Sequence, residues 1–198
     1  MKLAFRKNII RGGVLVFALV YLVGLYYYLS HRVQKEKMGP RYSATLAQGI
    51  DFTKSGYPDF ISNVTGLSLP EGWGRWSDAK DAGPRIILSF TKPLPENFTL
   101  ELDIKGYGPN QTEPITLIVG DTKKSFTLIT EENSSLKPDL KIVRLKISQN
   151  PLQTPASSIE LLAPKPTTPP KPPGFNPSNP GSTDQRLLGI GLVGLRIL

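Results

Sequence analysis

The sequence of 198 residues contains no cysteine and only one histidine. Without cysteine the chain has no disulfides, no thiolate zinc ligands and no thiol nucleophile. Because His31 directly follows a long apolar run, the rest of the chain offers neither a Ser-His pair nor a histidine-containing metal site. A phosphate-binding glycine loop followed by a helix is also missing. These absences predict a protein that is not an enzyme and that uses no metal and no cofactor.

Acidic residues are scarce at the N-terminus, where the excess of basic residues is concentrated. Residues 1–41 hold eight of the 24 lysines and arginines but only one of the 16 acids, in a chain of net charge +8. These basic residues flank an apolar segment, which indicates a membrane-topology signal rather than a nucleic-acid surface. No nucleic-acid partner is predicted.

The apolar segment covers residues 12–30, which contain no charged side chain. As a helix it would extend roughly 28 Å, enough to cross the hydrocarbon core of a bilayer. A cleaved signal peptide is the alternative, but its apolar region is usually about 7–15 residues long and ends in a small-residue cleavage site, which is missing here. We therefore expect a single-pass anchor over residues 12–30, a basic cytoplasmic N-terminus (1–11) and a polar stalk (31–48). Four basic residues lie on each side of the segment, so the difference in positive charge that orients a membrane helix is slight. We expect the N-terminus in the cytoplasm and the rest of the chain outside.

The remainder of the chain, residues 49–198, has the pattern of short β-strands. Residues 98–105 alternate apolar and polar side chains without error, and further strands are predicted at 86–90, 115–119, 125–129 and 158–162. A phase change between Ile142 and Val143 predicts a β-bulge in another strand. Residues 187–198 are apolar on both faces, as in a buried central strand. The fold class is thus all-β, an antiparallel β-sandwich of jelly-roll type, with an exposed Pro-rich loop at 163–183 before the last strand.

Residues 66–78 contain both tryptophans, two carboxylates and an arginine between glycines. Tryptophan offers an apolar face that can stack on a sugar ring, and charged side chains can bind hydroxyl groups or a phosphate substituent. If the last strand lies beside this stretch, Asp184 and Arg186 join it. The candidate ligand-binding residues are Glu71, Trp73, Arg75, Trp76, Asp78, Asp184 and Arg186.

Two other interpretations of the same stretch remain open. It can serve as a plug at the end of the sandwich, with Arg75 paired to Asp78 or Glu71. Alternatively, Glu71 and Asp78 can form the carboxylate pair of a glycosidase, although an adjacent arginine would keep both ionised and so oppose the acid role.

Several short motifs together resemble the C-terminal β-sandwich of bacterial phosphoglycerol transferases, envelope enzymes that decorate periplasmic osmoregulated glucans. A similar domain is appended to some membrane-bound glycosyltransferases. The motifs are Ile50-Asp51-Phe52, Gly66-Leu67-Ser68, Glu71-x-Trp73-Gly74-Arg75-Trp76-Ser77-Asp78, Leu94-Pro95-x-x-Phe98, Gly106-Tyr107-Gly108-Pro109-Asn110 and Asp184-x-Arg186-x-Leu188-Gly189.

The large catalytic domain of those transferases has no counterpart in these residues, so the resemblance transfers no catalytic residue. It implies a periplasmic domain on the bacterial inner membrane with the N-terminus in the cytoplasm. The first hypothesis is a non-catalytic module that binds a glycan or glycolipid. The second is an assembly subunit that docks a membrane-bound envelope transferase and in which both tryptophans are buried.

Overall fold

A computed structural model describes residues 19–29, 38–128, 140–169 and 184–198. The chain divides into two compact units, residues 1–39 and residues 40–198. In the first, residues 19–29 are helical (α1), and their side chains are exposed. Residues 12–18 and 30 of the predicted anchor lie outside the described residues. None of the helices in the described ranges has the length and hydropathy that a membrane crossing requires.

The second unit is built almost entirely of β-strands. The strands are β1 (Arg41–Tyr42), β2 (Ile50–Asp51), β3 (Tyr57–Pro58), β4 (Ile61–Thr65), β5 (Arg75–Asp78), β6 (Arg85–Phe90), β7 (Asn97–Gly106), β8 (Ile115–Val119), β9 (Thr122–Phe126), β10 (Lys141–Ser148), β11 (Ser158–Leu162) and β12 (Leu188–Ile197). A four-residue helix, α2 (Ala79–Ala82), follows β5, and a 3₁₀ turn (Gly108–Gln111) follows β7.

The strands form two five-stranded antiparallel sheets and one small parallel pair. Sheet 1 has the order β10-β7-β12-β2, and β5 also pairs with β12; sheet 2 has the order β4-β6-β11-β8-β9. The small pair is β1 with β3, so residues 40–48, predicted as part of the stalk, belong to the compact unit. An all-β fold with antiparallel sheets is confirmed.

Strand β7 shows how the alternating pattern builds the core. Leu100, Leu102 and Ile104 have no exposed surface, whereas the residues between them lie on the outer face of sheet 1. Their burial supplies the hydrophobic driving force for closing the sandwich. Strand β12 pairs with β7 along one edge and with β2 and β5 along the other, and it is buried over most of its length. The buried central strand predicted at 187–198 is therefore confirmed.

Two local predictions are wrong. No bulge occurs at Ile142-Val143, because β10 pairs with β7 without interruption and Ile142 points outward with 57% of its surface exposed. The phase change in the sequence pattern arises because one apolar residue, Ile142, lies on the solvent-facing side of the strand. The strand predicted at 125–129 lies instead at Thr122–Phe126, since Val119 pairs with Thr122 across a two-residue turn. Lys123 and Lys124, between the two predicted strands, are therefore strand residues.

The Pro-rich loop is described only in part, since residues 170–183 lie outside the described ranges. Its first residues are attached to the rest of the unit, although Pro164, Lys165 and Thr168 are exposed. Ala163 is buried, and Thr167 and Leu188 exchange backbone hydrogen bonds. The buried Asn110 side chain donates to the carbonyl of Lys165 at 2.7 Å and accepts from its N–H at 3.2 Å. The beginning of this loop is thus bound to the 3₁₀ turn after β7 and to the first residue of β12.

Candidate functional site

Residues 66–78 fold into a hairpin, here called the Trp hairpin. The N–H of Ser68 donates to the carbonyl of Trp76 at 2.8 Å, and the N–H of Asp78 donates to that of Gly66 at 2.9 Å. Glu71 and Gly74 pair across the tip. Gly74 has φ +150°, and a Cβ atom there would lie 2.3 Å from the carbonyl oxygen of Leu192. Only glycine lets the hairpin approach β12 this closely.

The second arm of the Trp hairpin, β5, places its side chains alternately on the two faces of sheet 1. Arg75 pairs with Leu192, which has no exposed surface, so Arg75 is on the core side. Trp76 pairs with Gly191, which also pairs with Lys105 of β7. Trp76, Gly191 and Lys105 are therefore neighbours across three adjacent strands on the outer face, because cross-strand partners share a face.

The two tryptophans close over Gly191. Their ring centroids are 4.7 Å apart at an interplanar angle of 61°, and Tyr107 makes an edge contact with Trp76 at 5.3 Å. A Cβ atom at Gly191 would lie 2.6 Å from Cη2 of Trp73 and 3.0 Å from Cε3 of Trp76. Both tryptophans are partly buried. The missing side chain at Gly191 thus provides the space for this aromatic pair.

The ammonium group of Lys105 lies against both rings. Its Nζ atom is 3.2 Å from the ring centroid of Trp73 and 4.6 Å from that of Trp76. A cation within about 6 Å of an aromatic centroid is attracted by the negative face of the ring. Lys105 is not among the candidate residues predicted from the sequence. Its outward position at the end of the predicted alternating strand is the feature by which it could have been found.

Two carboxylates and Arg186 hold the hairpin from the side. The indole N–H of Trp73 donates to Oε2 of Glu71 at 2.9 Å, and Nη1 of Arg186 donates to Oε1 at 2.6 Å. Nε of Arg186 lies 2.9 and 3.0 Å from the two carboxylate oxygens of Asp184, and Nη2 donates to Oδ2 at 2.6 Å. The sequence hypothesis that Asp184 and Arg186 join the Trp hairpin thus describes the observed geometry.

These contacts shift the pKa values of the charged groups. The hydrogen bond from Arg186, together with its charge, lowers the pKa of Asp184 below its ordinary 3.8. The same hydrogen bond is the main reason that the pKa of Arg186 is raised. Both groups are therefore ionised at neutral pH. Since both oxygens of Glu71 accept hydrogen bonds, this carboxylate orients the indole of Trp73.

Arg75 does not form the ion pair with Asp78 or Glu71 that the plug interpretation included. It is 2% exposed, its Nη2 donates to the carbonyls of Lys54 at 2.9 Å and Gly56 at 3.3 Å, and its Cζ lies 4.5 Å from the Tyr57 ring centroid. Burial lowers the pKa of Arg75 and raises the pKa of Tyr57 to about 12. Arg75 therefore supports the loop at 54–57 and does not face a ligand at the tryptophans.

Asp78 has a structural role that the sequence analysis did not foresee. Its Oδ1 accepts from the N–H of Lys80 at 3.1 Å, which caps α2, and from the N–H of Leu187 at 3.3 Å. Beside it, Oγ of Ser77 accepts from the N–H groups of Gly189 and Ile190 at 2.9 Å each. The Trp hairpin is thus joined to the start of β12 by side-chain-to-backbone bonds, and Asp78 is not placed as the partner of Glu71 in a carboxylate pair.

No group of three or more acidic or histidine side chains suited to a metal ion occurs among the described residues. The contacts place Trp73, Trp76, Lys105, Glu71, Arg186 and Asp184 in one cluster that joins the Trp hairpin to the outer face of sheet 1. Chemically, this cluster combines an aromatic surface with a fixed set of charges.

Comparison with known proteins agrees with the motif resemblance. Phosphoglycerol transferase I of Escherichia coli strain ATCC 8739 is 31% identical over 153 residues, and that of Escherichia fergusonii is 30% identical over the same length. The enzyme of Shigella boydii serotype 18 is also 31% identical. Each match covers 77% of this chain but only 18% of the relative, so the chain corresponds to a small part of those proteins. No solved structure matches the chain.

A family model described as "Domain of unknown function (DUF7024)" matches residues 35–198. This range includes the whole sandwich with its Trp hairpin and all seven candidate site residues. The chain therefore belongs to the DUF7024 family.

Proposed function

We propose that this chain is a membrane-anchored, periplasmic, non-catalytic module that binds a glycan or glycolipid during the modification of envelope glucans. The observation that carries the proposal is the Trp73–Trp76 pair on the outer face of sheet 1, held by Glu71 and Arg186. The indole faces can stack on a saturated ring, and the charged groups beside them can bind hydroxyl groups. The name of the relatives, phosphoglycerol transferase I, supports a context of phosphoglycerol transfer.

The membrane anchor is proposed from residues 12–30, whose uncharged run flanked by basic residues is typical of a spanning helix. The helical residues 19–29 within it expose their apolar side chains, which supports a lipid environment. We place the N-terminus in the cytoplasm and the sandwich in the periplasm.

Within the proposed site, we divide the candidate residues into two groups. Trp73 and Trp76 supply the stacking surface, and Glu71, Arg186 and Asp184 hold it and present polar edges to the ligand. Arg75 and Asp78 act on the backbone of neighbouring segments instead. A non-catalytic role agrees with this division, because both oxygens of Glu71 are hydrogen-bonded and Asp78 caps α2.

An assembly subunit that docks a membrane-bound envelope transferase is the second candidate. It is favoured by the internal hydrogen bonds of Arg75 and by the packing of Trp73 on Gly191, which give the Trp hairpin a role in the fold. On this alternative the tryptophans stabilise the sandwich and bind no sugar.

Tryptophan fluorescence separates the two candidates, because Trp73 and Trp76 are the only tryptophans in the chain. The full chain in a polyoxyethylene detergent, which contains no sugar, is titrated with envelope glucans in the presence of acrylamide. Glycan binding predicts saturable protection from quenching. Arg186→Gln should weaken the affinity for glucan about tenfold, because Glu71 loses its ion pair and no longer fixes the indole of Trp73. This loss is on the scale of one charge-assisted hydrogen bond.

Leu69→Ala is the matched control, because Leu69 lies on the same hairpin with 71% of its surface exposed. This variant should bind glucan as the wild type does. Blue-shifted emission that neither acrylamide nor glucan changes would reject the glycan site and favour the assembly subunit.

A further inference from the structure

The protein's own ammonium group occupies the aromatic surface of the candidate site. Nζ of Lys105 is 3.2 Å from the ring centroid of Trp73 and 4.6 Å from that of Trp76. The two rings stand at 61° to each other, so they form two walls of a corner that contains the cation. Two aromatic walls around one ammonium group are the elements of an aromatic cage, the arrangement that recognises substituted ammonium ions.

The walls of this corner are fixed from outside. Glu71 accepts the indole N–H of Trp73 and is itself held by Arg186, while the edge contact with Tyr107 supports Trp76. The backbone of Gly191 forms the floor and leaves no side chain between the rings. Lys105, by contrast, is a half-buried side chain on β7 that reaches the corner through a flexible, unbranched stem. The walls of the corner are therefore pre-organised, whereas its occupant is attached through rotatable bonds.

We infer that the Trp73–Trp76 corner is a binding site for a substituted ammonium group, such as a choline-type or ethanolamine-type substituent, and that the ammonium of Lys105 occupies this site in the absence of ligand. This inference rests on the proposed function, which supplies the glycan or glycolipid that carries the ammonium group. Recognition of the ammonium group itself depends on the two tryptophans of the corner. A bound ligand displaces Lys105, so the free protein is self-inhibited.

Choline and its uncharged isostere 3,3-dimethylbutan-1-ol provide the test, because they share their shape and differ in charge. The full chain in a polyoxyethylene detergent, which carries neither sugar nor ammonium, is titrated with each compound while tryptophan emission is recorded. For the Lys105→Ala variant we expect saturable binding of choline at least about tenfold tighter than for the wild type, and about tenfold tighter than binding of the isostere, on the scale of one desolvated cation–π contact. Trp73→Leu in the Lys105→Ala background should abolish the choline response.

Lys105→Met is the second variant, since it keeps the apolar stem in case the alanine variant does not unfold cooperatively. Lys124→Ala is the matched control, because Lys124 is an exposed lysine on β9 and its loss should leave choline binding unchanged. Equal binding of choline and its isostere, or no saturable choline response in either Lys105 variant, would overturn the inference.

The outcomes for the inference and for the proposed function can be told apart. Choline binding without any glucan binding would support the ammonium site and reject the glycan module. Glucan binding with no response to choline would support the glycan module and reject the ammonium site.

Discussion

Arg75 shows how much a single buried side chain determines in this fold. It is 2% exposed, it donates to two backbone carbonyls, and its Nε has no hydrogen-bond partner among the described residues. Contact with the ring of Tyr57 partly compensates the burial of its charge. Since burial raises the pKa of Tyr57 to about 12, that phenol is neutral under ordinary conditions. Arg75 is therefore a structural donor that fixes residues 54–57 against β5.

Replacing Arg75 with methionine should destabilise the sandwich by about 1–3 kcal/mol, because the carbonyls of Lys54 and Gly56 lose their donor in a buried site. Urea denaturation followed by circular dichroism gives the free energy of unfolding. Arg85→Met is the control, since Arg85 is half exposed and its ion pair with Glu160 at 3.1 Å should contribute less than about 1 kcal/mol. A variant at Arg75 that is as stable as the wild type would contradict this role.

At the scale of elements, strand β10 shows why an apolar pattern alone can mislead. It pairs with β7 over its whole length, with Val143, Leu145 and Ile147 on the inner side and Ile142 outside. On the outer face, Arg144 and Arg196 both pair with Glu101, at 2.5 and 3.0 Å, and Glu101 is 5% exposed. The neighbouring β10, β7 and β12 are thus joined by ion pairs as well as by backbone hydrogen bonds.

The uninterrupted register of β10 is tested by a pair of identical substitutions. Ile147→Ala should cost about 2–5 kcal/mol in the free energy of unfolding, because Ile147 is 2% exposed. Ile142→Ala should change it by less than about 0.5 kcal/mol, because Ile142 is exposed on the outer face. Comparable losses in the two variants would indicate that Ile142 is in the core, as a bulged strand requires.

At the scale of the whole molecule, the site depends on contacts between residues far apart in the chain. Arg186 and Glu71, which meet at 2.6 Å, are 115 residues apart in sequence. Asp184 and Arg186 directly precede β12 in the chain. The residues at the start of β12 are also hydrogen-bonded to Ser77, Asp78 and Thr167. The last strand thus brings the charged groups and the Trp hairpin together on sheet 1.

The Asp184–Arg186 contact should make stability depend on pH in the acid range. The pKa of Asp184 in the folded protein lies below its ordinary 3.8, so the ionised carboxylate stabilises the fold above about pH 4, and this contribution is lost as the pH falls through the folded-state pKa. The difference in melting temperature between the wild type and Asp184→Asn should therefore be constant near neutrality and shrink below about pH 4. Asp121→Asn, a substitution on the exposed turn between β8 and β9, is the matched control. A difference that persists undiminished at pH 3 would contradict the assignment.

The sequence by itself determined the all-β class, the alternating strand β7, the buried last strand and the residue types of the site, because alternation and burial are local patterns. It also excluded thiol and histidine chemistry in the sandwich. Only the tertiary structure decided that Arg75 turns inward, that Arg186 reaches Glu71 and that Lys105 meets the tryptophans. These depend on the register of β12 against β5 and β7 and on the missing side chain at Gly191. The alternating pattern decides which face of a strand is buried, but no short turn joins β12 to β5 or β7, so turn geometry does not set which residues pair across these strands.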